Sequence, residues 1–192
     1  MLASGPGDPH GLDGSDNDGR ACESNPCPCA TTAPQPFVWS TSSTASNTQT
    51  HTEVVRRNAG NVVRVTDGDT LRVRIRGIGV RDIRIIGIDT PEVYGGTQCG
   101  GRRASQRMRE LAPVGSTVTL ISDPSHADRD RYGRLLRYVE RKGKDVGRAQ
   151  ISLGQARVYV YNHNPFRRVA GYRHVERSAC ANERGSSSSC WR

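Results

Sequence analysis

The stretch RVTDGDTLRVRI at residues 64–75 sets two carboxylates, Asp67 and Asp69, one glycine apart at the mouth of an alternating run. Asp-Gly is turn chemistry, because Asp bonds its own backbone and Gly accepts positive φ. That accounts for Asp67 and Gly68 but not for Asp69, since Asp is depleted in strands. Two further clusters follow in order, RIIGIDTPE at 84–92 and DRYGR at 130–134. Each carries charge at a strand end or a turn, where packing does not require it.

Asp67, Asp69 and Asp89 stand at the edges of strands that a meander would bring side by side. Carboxylates that close repel unless a cation binds between them. Oxygen donors with no His or Cys beside them select Ca²⁺ or Mg²⁺ over zinc. A lone D-x-D is more often a turn, and the third Asp ahead of Thr-Pro-Glu is what raises the metal reading above it. Arg84 and Arg134 add two guanidiniums, whose forks match phosphate oxygens and hold charge as it develops in a transition state. Glu92 follows Pro91, which restricts Thr90 to extended geometry. An acid held there can orient or deprotonate a water; taken alone, it is a surface carboxylate.

The elements that must position these groups are legible from period. Leu71, Val73 and Ile75 alternate with Arg72, Arg74 and Arg76, the signature of a half-buried strand. Gly77 and Gly79 interrupt it, and RDIRIIGID resumes as a second strand; Thr117–Ile121 and Leu135–Glu140 read as two more. Three helices are predicted: Ala104, Met108 and Leu111, stopped by Pro113 and Gly115; Val146, Ala149 and Leu153; and Val169, Tyr172, Val175 and Ala179. Strands first and helices late imply an α+β domain on a small barrel or sheet.

Residues 1–52 are rich in Gly, Ser, Thr, Pro, Asn and Asp and show no periodicity, so they read as a low-complexity disordered tail or linker before a domain at 53–192. The tail holds five acids, Asp8, Asp13, Asp16, Asp18 and Glu23, against Arg20. Its net charge of −4, set against +9 for the chain, leaves +13 on the domain. That surplus favours a polyanionic partner, nucleic acid ahead of an anionic membrane surface. No apolar run approaches the ~20 residues of a membrane span, and the first 40 residues lack the apolar stretch of a secretory signal. The six cysteines, Cys22, Cys27, Cys29, Cys99, Cys180 and Cys190, suit an oxidising compartment instead. A translation start upstream of Met1 would reconcile the two. Cys22, Cys27 and Cys29 lack paired metal spacing and read as a disulfide or free thiols, whereas Cys99 can pair with Cys180 or Cys190.

The ordered set DGDT, R-x-x-x-IDTPE and D-R-YGR-L resembles the staphylococcal (micrococcal) nuclease family over roughly residues 54–192. The resemblance implies a five-stranded OB-fold β-barrel with three helices. It also implies a monomeric, secreted or envelope-located Ca²⁺-dependent nuclease that cuts DNA and RNA to 3′-phosphate and 5′-hydroxyl ends. Carried over by position, Asp69 and Asp89 supply carboxylate ligands and Thr90 its carbonyl, with Asp67 in the outer shell. Arg84 and Arg134 clamp the phosphate, Glu92 is the general base, and Tyr132 lines the nucleotide pocket with Tyr159 or Tyr161. The segment VYGGTQCGGRRAS after Glu92 departs from the family in being shorter, glycine-rich and cysteine-bearing. The competing reading is a non-catalytic OB-fold nucleic-acid-binding module, which needs charge and stacking surface but not this constellation.

Overall fold

In a computed structural model, described for residues 54–187 and 190, the chain forms eight strands and three α-helices. The strands are β1 (Arg57–Val65), β2 (Thr70–Ile75), β3 (Gly79–Ile85), β4 (Ile88–Asp89), β5 (Thr117–Ile121), β6 (Leu135–Arg141), β7 (Lys144–Asp145) and β8 (Arg157–Val158). The helices are α1 (Gly101–Leu111), α2 (Val146–Ser152) and α3 (Val169–Ala181). The tail predicted over 1–52 lies outside the described residues.

The meander forms as the alternation requires. β1 pairs antiparallel with β2, and β2 with β3. Leu71, Val73 and Ile75 are buried while Arg72, Arg74 and Arg76 face water. β1 also pairs with β5 and β5 with β6, both antiparallel, and a parallel pairing of β3 with β6 closes the five strands into a barrel. This is the expected five-stranded barrel with three helices. Leu71, Val73, Ile83, Leu120 and Val139 fill its interior, and burial of such side chains at roughly 25 cal/mol per Å² is what holds it together. No helix among the described residues is long and apolar enough to cross a membrane.

Helices α1 and α3 bury the predicted faces, Ala104 with Met108 and Tyr172 with Val175 and Ala179. The second helix differs. Its buried side is Val146, Gly147, Gln150 and Ile151, while Ala149 and Leu153 are only half-buried. The rotation brings Gln150 over the Gly68 carbonyl, which needs a donor that Gln150 provides.

Two features past the barrel shape the site. β4 pairs antiparallel with β8, so the strand carrying Arg84 turns at Gly87 and continues to Asp89. Gly87 has φ 79°, and a Cβ there would lie 2.3 Å from the Phe166 ring, so only glycine fits this corner. The second feature is Asp123, past the end of β5, whose side chain is fully buried. It accepts bonds from the Tyr138 hydroxyl, the Ser125 hydroxyl (2.7 Å) and N–H (3.0 Å), and the Arg167 N–H (2.8 Å). Ser125 in turn accepts from Asn164 Nδ2 through its carbonyl at 3.0 Å, which fixes one wall of the cleft described below.

Burial pushes the Asp123 carboxyl up, but the donors from Tyr138, Ser125 and Arg167 outweigh it and hold the group below its ordinary value of 3.8. A depressed folded pKa contributes stability above the unfolded value and loses it as pH falls through the folded one. Asp123→Asn is therefore expected to cost about 2–3 kcal/mol in urea denaturation at pH 7. That penalty is expected to shrink progressively below about pH 4; a difference independent of pH would contradict the assignment.

Candidate active site

Turn chemistry between β1 and β2 builds the first edge of the site. Asp67 Oδ1 accepts the Asp69 N–H at 3.1 Å, an Asx turn that spends Asp67 on the backbone and aims Asp69 elsewhere. Asp69 is anchored from three sides: the Thr70 hydroxyl donates to Oδ1 at 3.0 Å, and the Thr90 N–H and hydroxyl both donate to Oδ2, at 3.1 and 3.2 Å. The Asp69 carbonyl accepts the Ile85 N–H at 2.9 Å, which locks the turn to the end of β3.

Arg84 joins the two acids. Its Nη1 ion-pairs with Asp69 Oδ2, and its Nη2 donates to Asp89 Oδ1 at 2.9 Å. One guanidinium does not balance this many carboxylates. Burial, then the charge of Asp69, pushes Asp67 up to about 7. Burial outweighs Arg84 at Asp89 and, with Asp69 and Glu92 adding repulsion, pushes it up to about 6. Arg84 itself is held charged: burial opposes this, and Asp69 and Asp89 overcome it.

DRYGR forms the facing edge. The Asp130 carboxylate accepts the backbone N–H groups of Tyr132 and Arg134, both at 2.9 Å, and Arg134 Nε at 2.6 Å. One acid thus closes the turn and orients the guanidinium. Arg134 Nη1 reaches the Thr70 hydroxyl at 3.5 Å, the outer limit of a hydrogen bond. The exposed Tyr132 ring lies under Arg131 at 4.8 Å and Arg134 at 5.3 Å.

These edges enclose a cleft of about 660 Å³. Asp69, Arg84, Asp89, Glu92, Tyr132 and Arg134 line it, together with Tyr159 and Tyr161, whose rings are 6.5 Å apart. Two of the predicted residues do not face it. Thr90 is buried behind Asp69, and Asp67 opens onto a second, smaller groove with Arg64 and Arg72, which Arg134 borders from the other side.

Among the described residues no three His, Cys, Asp or Glu side chains are gathered as a ready metal cage. The donors nonetheless fit a hard cation in kind. Asp69 and Asp89 are carboxylates on adjoining strand ends, the Thr90 hydroxyl stands against Asp69, and the space between the two acids is one that Arg84 fills with positive charge.

A family model described as staphylococcal nuclease homologue matches residues 82–186, more than half of the chain. The chain belongs to the staphylococcal nuclease family. The matched segment contains Arg84, Asp89, Thr90, Glu92, Tyr132 and Arg134, while Asp67 and Asp69 lie ahead of it and are brought in by the fold. The chain is 42% identical over 105 residues to the SPbeta prophage-derived endonuclease YokF of Bacillus subtilis (strain 168), covering 53% of this chain and 34% of that protein. It is 41% identical over 108 residues to an uncharacterized endonuclease of Escherichia coli O157:H7, 55% of this chain and 65% of the relative. Endonuclease YncB of Bacillus subtilis is 41% identical over 106 residues, 53% and 48% of the two chains. The chain spans less than two thirds of the length of each of these nuclease-family relatives.

Sequence reasoning missed three positioning residues of this staphylococcal nuclease family site. Asp130 was visible in DRYGR as an acid four residues before Arg134. Gln98 bonds the Glu92 backbone from within the departing loop. Gln150 is fully buried, and its Nε2 donates to the Gly68 carbonyl at 2.8 Å and the Ala104 carbonyl at 3.0 Å, pinning the Asp turn to α1. Its only signal is a polar residue four positions from Val146 on a buried face. Gln150→Leu keeps the volume but leaves the Gly68 carbonyl without its donor, while that of Ala104 keeps its partner within α1, so a loss of about 1–2 kcal/mol is expected in chemical denaturation. A change under about 0.5 kcal/mol would show that the turn is held without it.

Proposed function

We propose that this domain is a nuclease that hydrolyses phosphodiester bonds of DNA and RNA with Ca²⁺, leaving 3′-phosphate and 5′-hydroxyl ends. The observation that carries the reading is the convergence of Asp69, Arg84, Asp89, Glu92 and Arg134 on one cleft beside exposed tyrosines. The endonuclease names of its relatives support it.

The Asp69 and Asp89 carboxylates and the Thr90 carbonyl would hold the cation, with Asp67 behind them. Bound there, a divalent ion supplies counter-charge to the acids and to the negative phosphate. Arg84, held between Asp69 and Asp89, would offer its guanidinium to a phosphate oxygen. Arg134, already oriented by Asp130, meets the phosphate from the facing edge, and the pair stabilises charge that grows on its oxygens. Glu92 accepts a proton from the attacking water, whose oxygen bonds to phosphorus as the bond to the 5′-oxygen breaks, and that oxygen takes a proton from solvent. Tyr132, with Tyr159 or Tyr161, stacks a base; a π-face on every base explains low sequence preference. The cleft is complete within one chain, which supports action as a monomer. A secreted or envelope location is supported by the disulfide between Cys99 and Cys190.

The test is digestion of single-stranded DNA, duplex DNA and RNA with Ca²⁺, with Mg²⁺ and with a chelator. Cleavage of all three with Ca²⁺ is expected, and its loss on chelation and in Asp69→Ala. Glu92→Gln and Arg134→Ala are each expected to lower kcat by roughly 10²-fold or more while nucleic-acid binding persists. Salt-sensitive binding without cleavage under any metal would sink the enzymatic reading.

A further inference from the structure

Glu92 directly precedes the glycine-rich loop that begins at Val93, and the structure accounts for how it is held. Gln98 Oε1 accepts the Glu92 N–H at 2.9 Å, and the Glu92 carbonyl accepts the Gln98 N–H at 2.9 Å, a reciprocal pair that closes the 92–98 loop on itself. Both groups lie at an exposed position, so each bond contributes only about 0.5–1.5 kcal/mol. Buried contacts supply the rest. A Cβ on Gly101 would fall 2.5 Å from the Glu92 carbonyl oxygen and 2.9 Å from that of Pro91, so the Pro91–Glu92 backbone rests directly on the first residue of α1. Gly100, at φ 88°, is covered from the other side by Ser186, where a Cβ would meet Oγ at 2.3 Å.

Ser186 is fully buried and belongs to the C-terminal segment. Its N–H donates to the Gly154 carbonyl at 2.8 Å and its carbonyl accepts the Cys190 N–H at 2.9 Å. Cys190 is disulfide-bonded to Cys99, the residue between Gln98 and Gly100. The bridge therefore joins the two sides of a clamp: Gln98, Gly100 and Gly101 on one, Ser186 on the other.

We propose that Gln98, held by the Cys99–Cys190 disulfide and Ser186, is the positioning residue for Glu92, so that catalysis depends on the oxidised state of this bridge. The inference rests on the nuclease reading and on Glu92 as its base. Cys99 is exposed, so a dithiol can reach the bond. Two electrons and two protons then convert the disulfide to two thiols, while the reductant closes to its own cyclic disulfide. A base displaced by a fraction of an ångström loses proton-transfer efficiency without loss of substrate contacts, which separates kcat from KM.

The experiment measures steady-state cleavage and amide exchange of Glu92 by NMR in wild type, with and without a dithiol, and in Gln98→Ala and Cys99→Ser/Cys190→Ser. Reduction and both variants are expected to lower kcat about tenfold with KM unchanged, to speed Glu92 amide exchange several-fold, and to have no further effect in a Glu92→Gln background. An unchanged kcat, or an equal loss in the Glu92→Gln background, overturns the inference. Gln98→Ala keeps it testable should the cysteine variant fold poorly. A wild type that cleaves nothing removes the nuclease reading instead, and the exchange data alone then decide whether the bridge holds Glu92.

Discussion

The contact of Arg84 with Asp69 and Asp89 is the constraint around which the rest of the molecule is arranged. One guanidinium faces two carboxylates, with Asp67 and Glu92 near enough to add their repulsion. Taking such a group of charges out of water is costly, and attraction offsets that only when the geometry is tight and the remaining lone pairs are occupied. The occupants are identifiable: Thr70 and Thr90 on Asp69, and the Asp69 N–H on Asp67. Those donors hold position because β2, β3 and the β4–β8 ladder are paired there, so barrel and charge cluster support one another.

The charge does not balance, and the imbalance is informative. Asp89 is raised even though Arg84 bonds it, so burial wins over the ion pair. A protein built for stability alone would pair these acids fully or replace them with apolar side chains. On the proposed reading, a divalent cation would offset this surplus of buried acid.

Much of this was legible from residue order. Period 2 marked the meander because one face of each strand is wet, and Asp69 stood out because turn chemistry needed only Asp67. The helix-period rule misplaced the buried face of α2. Apolarity favours Ala149 and Leu153, but the Gly68 carbonyl in the Asp turn demands a donor, and that demand arises only once the barrel has formed. Gln98 was hidden for a different reason. Its backbone partner is six residues away in a loop with no periodicity, and the clamp that fixes it comes from residue 186. The position of Asp89 relative to Arg84 depended on the left-handed corner at Gly87, which a reading of alternation alone treats as one more strand residue.

Closure of the barrel by a parallel pairing, Ile83 with Leu135, has a consequence for the order in which the molecule comes into being. The meander is local and forms from neighbouring hairpins, whereas this pairing joins segments about fifty residues apart, the slow kind of contact. Arg84 lies at the end of β3 and Arg134 directly before β6, so the two guanidiniums meet across the cleft only when that pairing forms. A chain whose first three strands alone have assembled holds Asp67, Asp69 and Arg84, but neither Asp89, which is set by the β4–β8 ladder, nor the facing guanidinium. On the proposed function, completion of the fold and the onset of activity are one event.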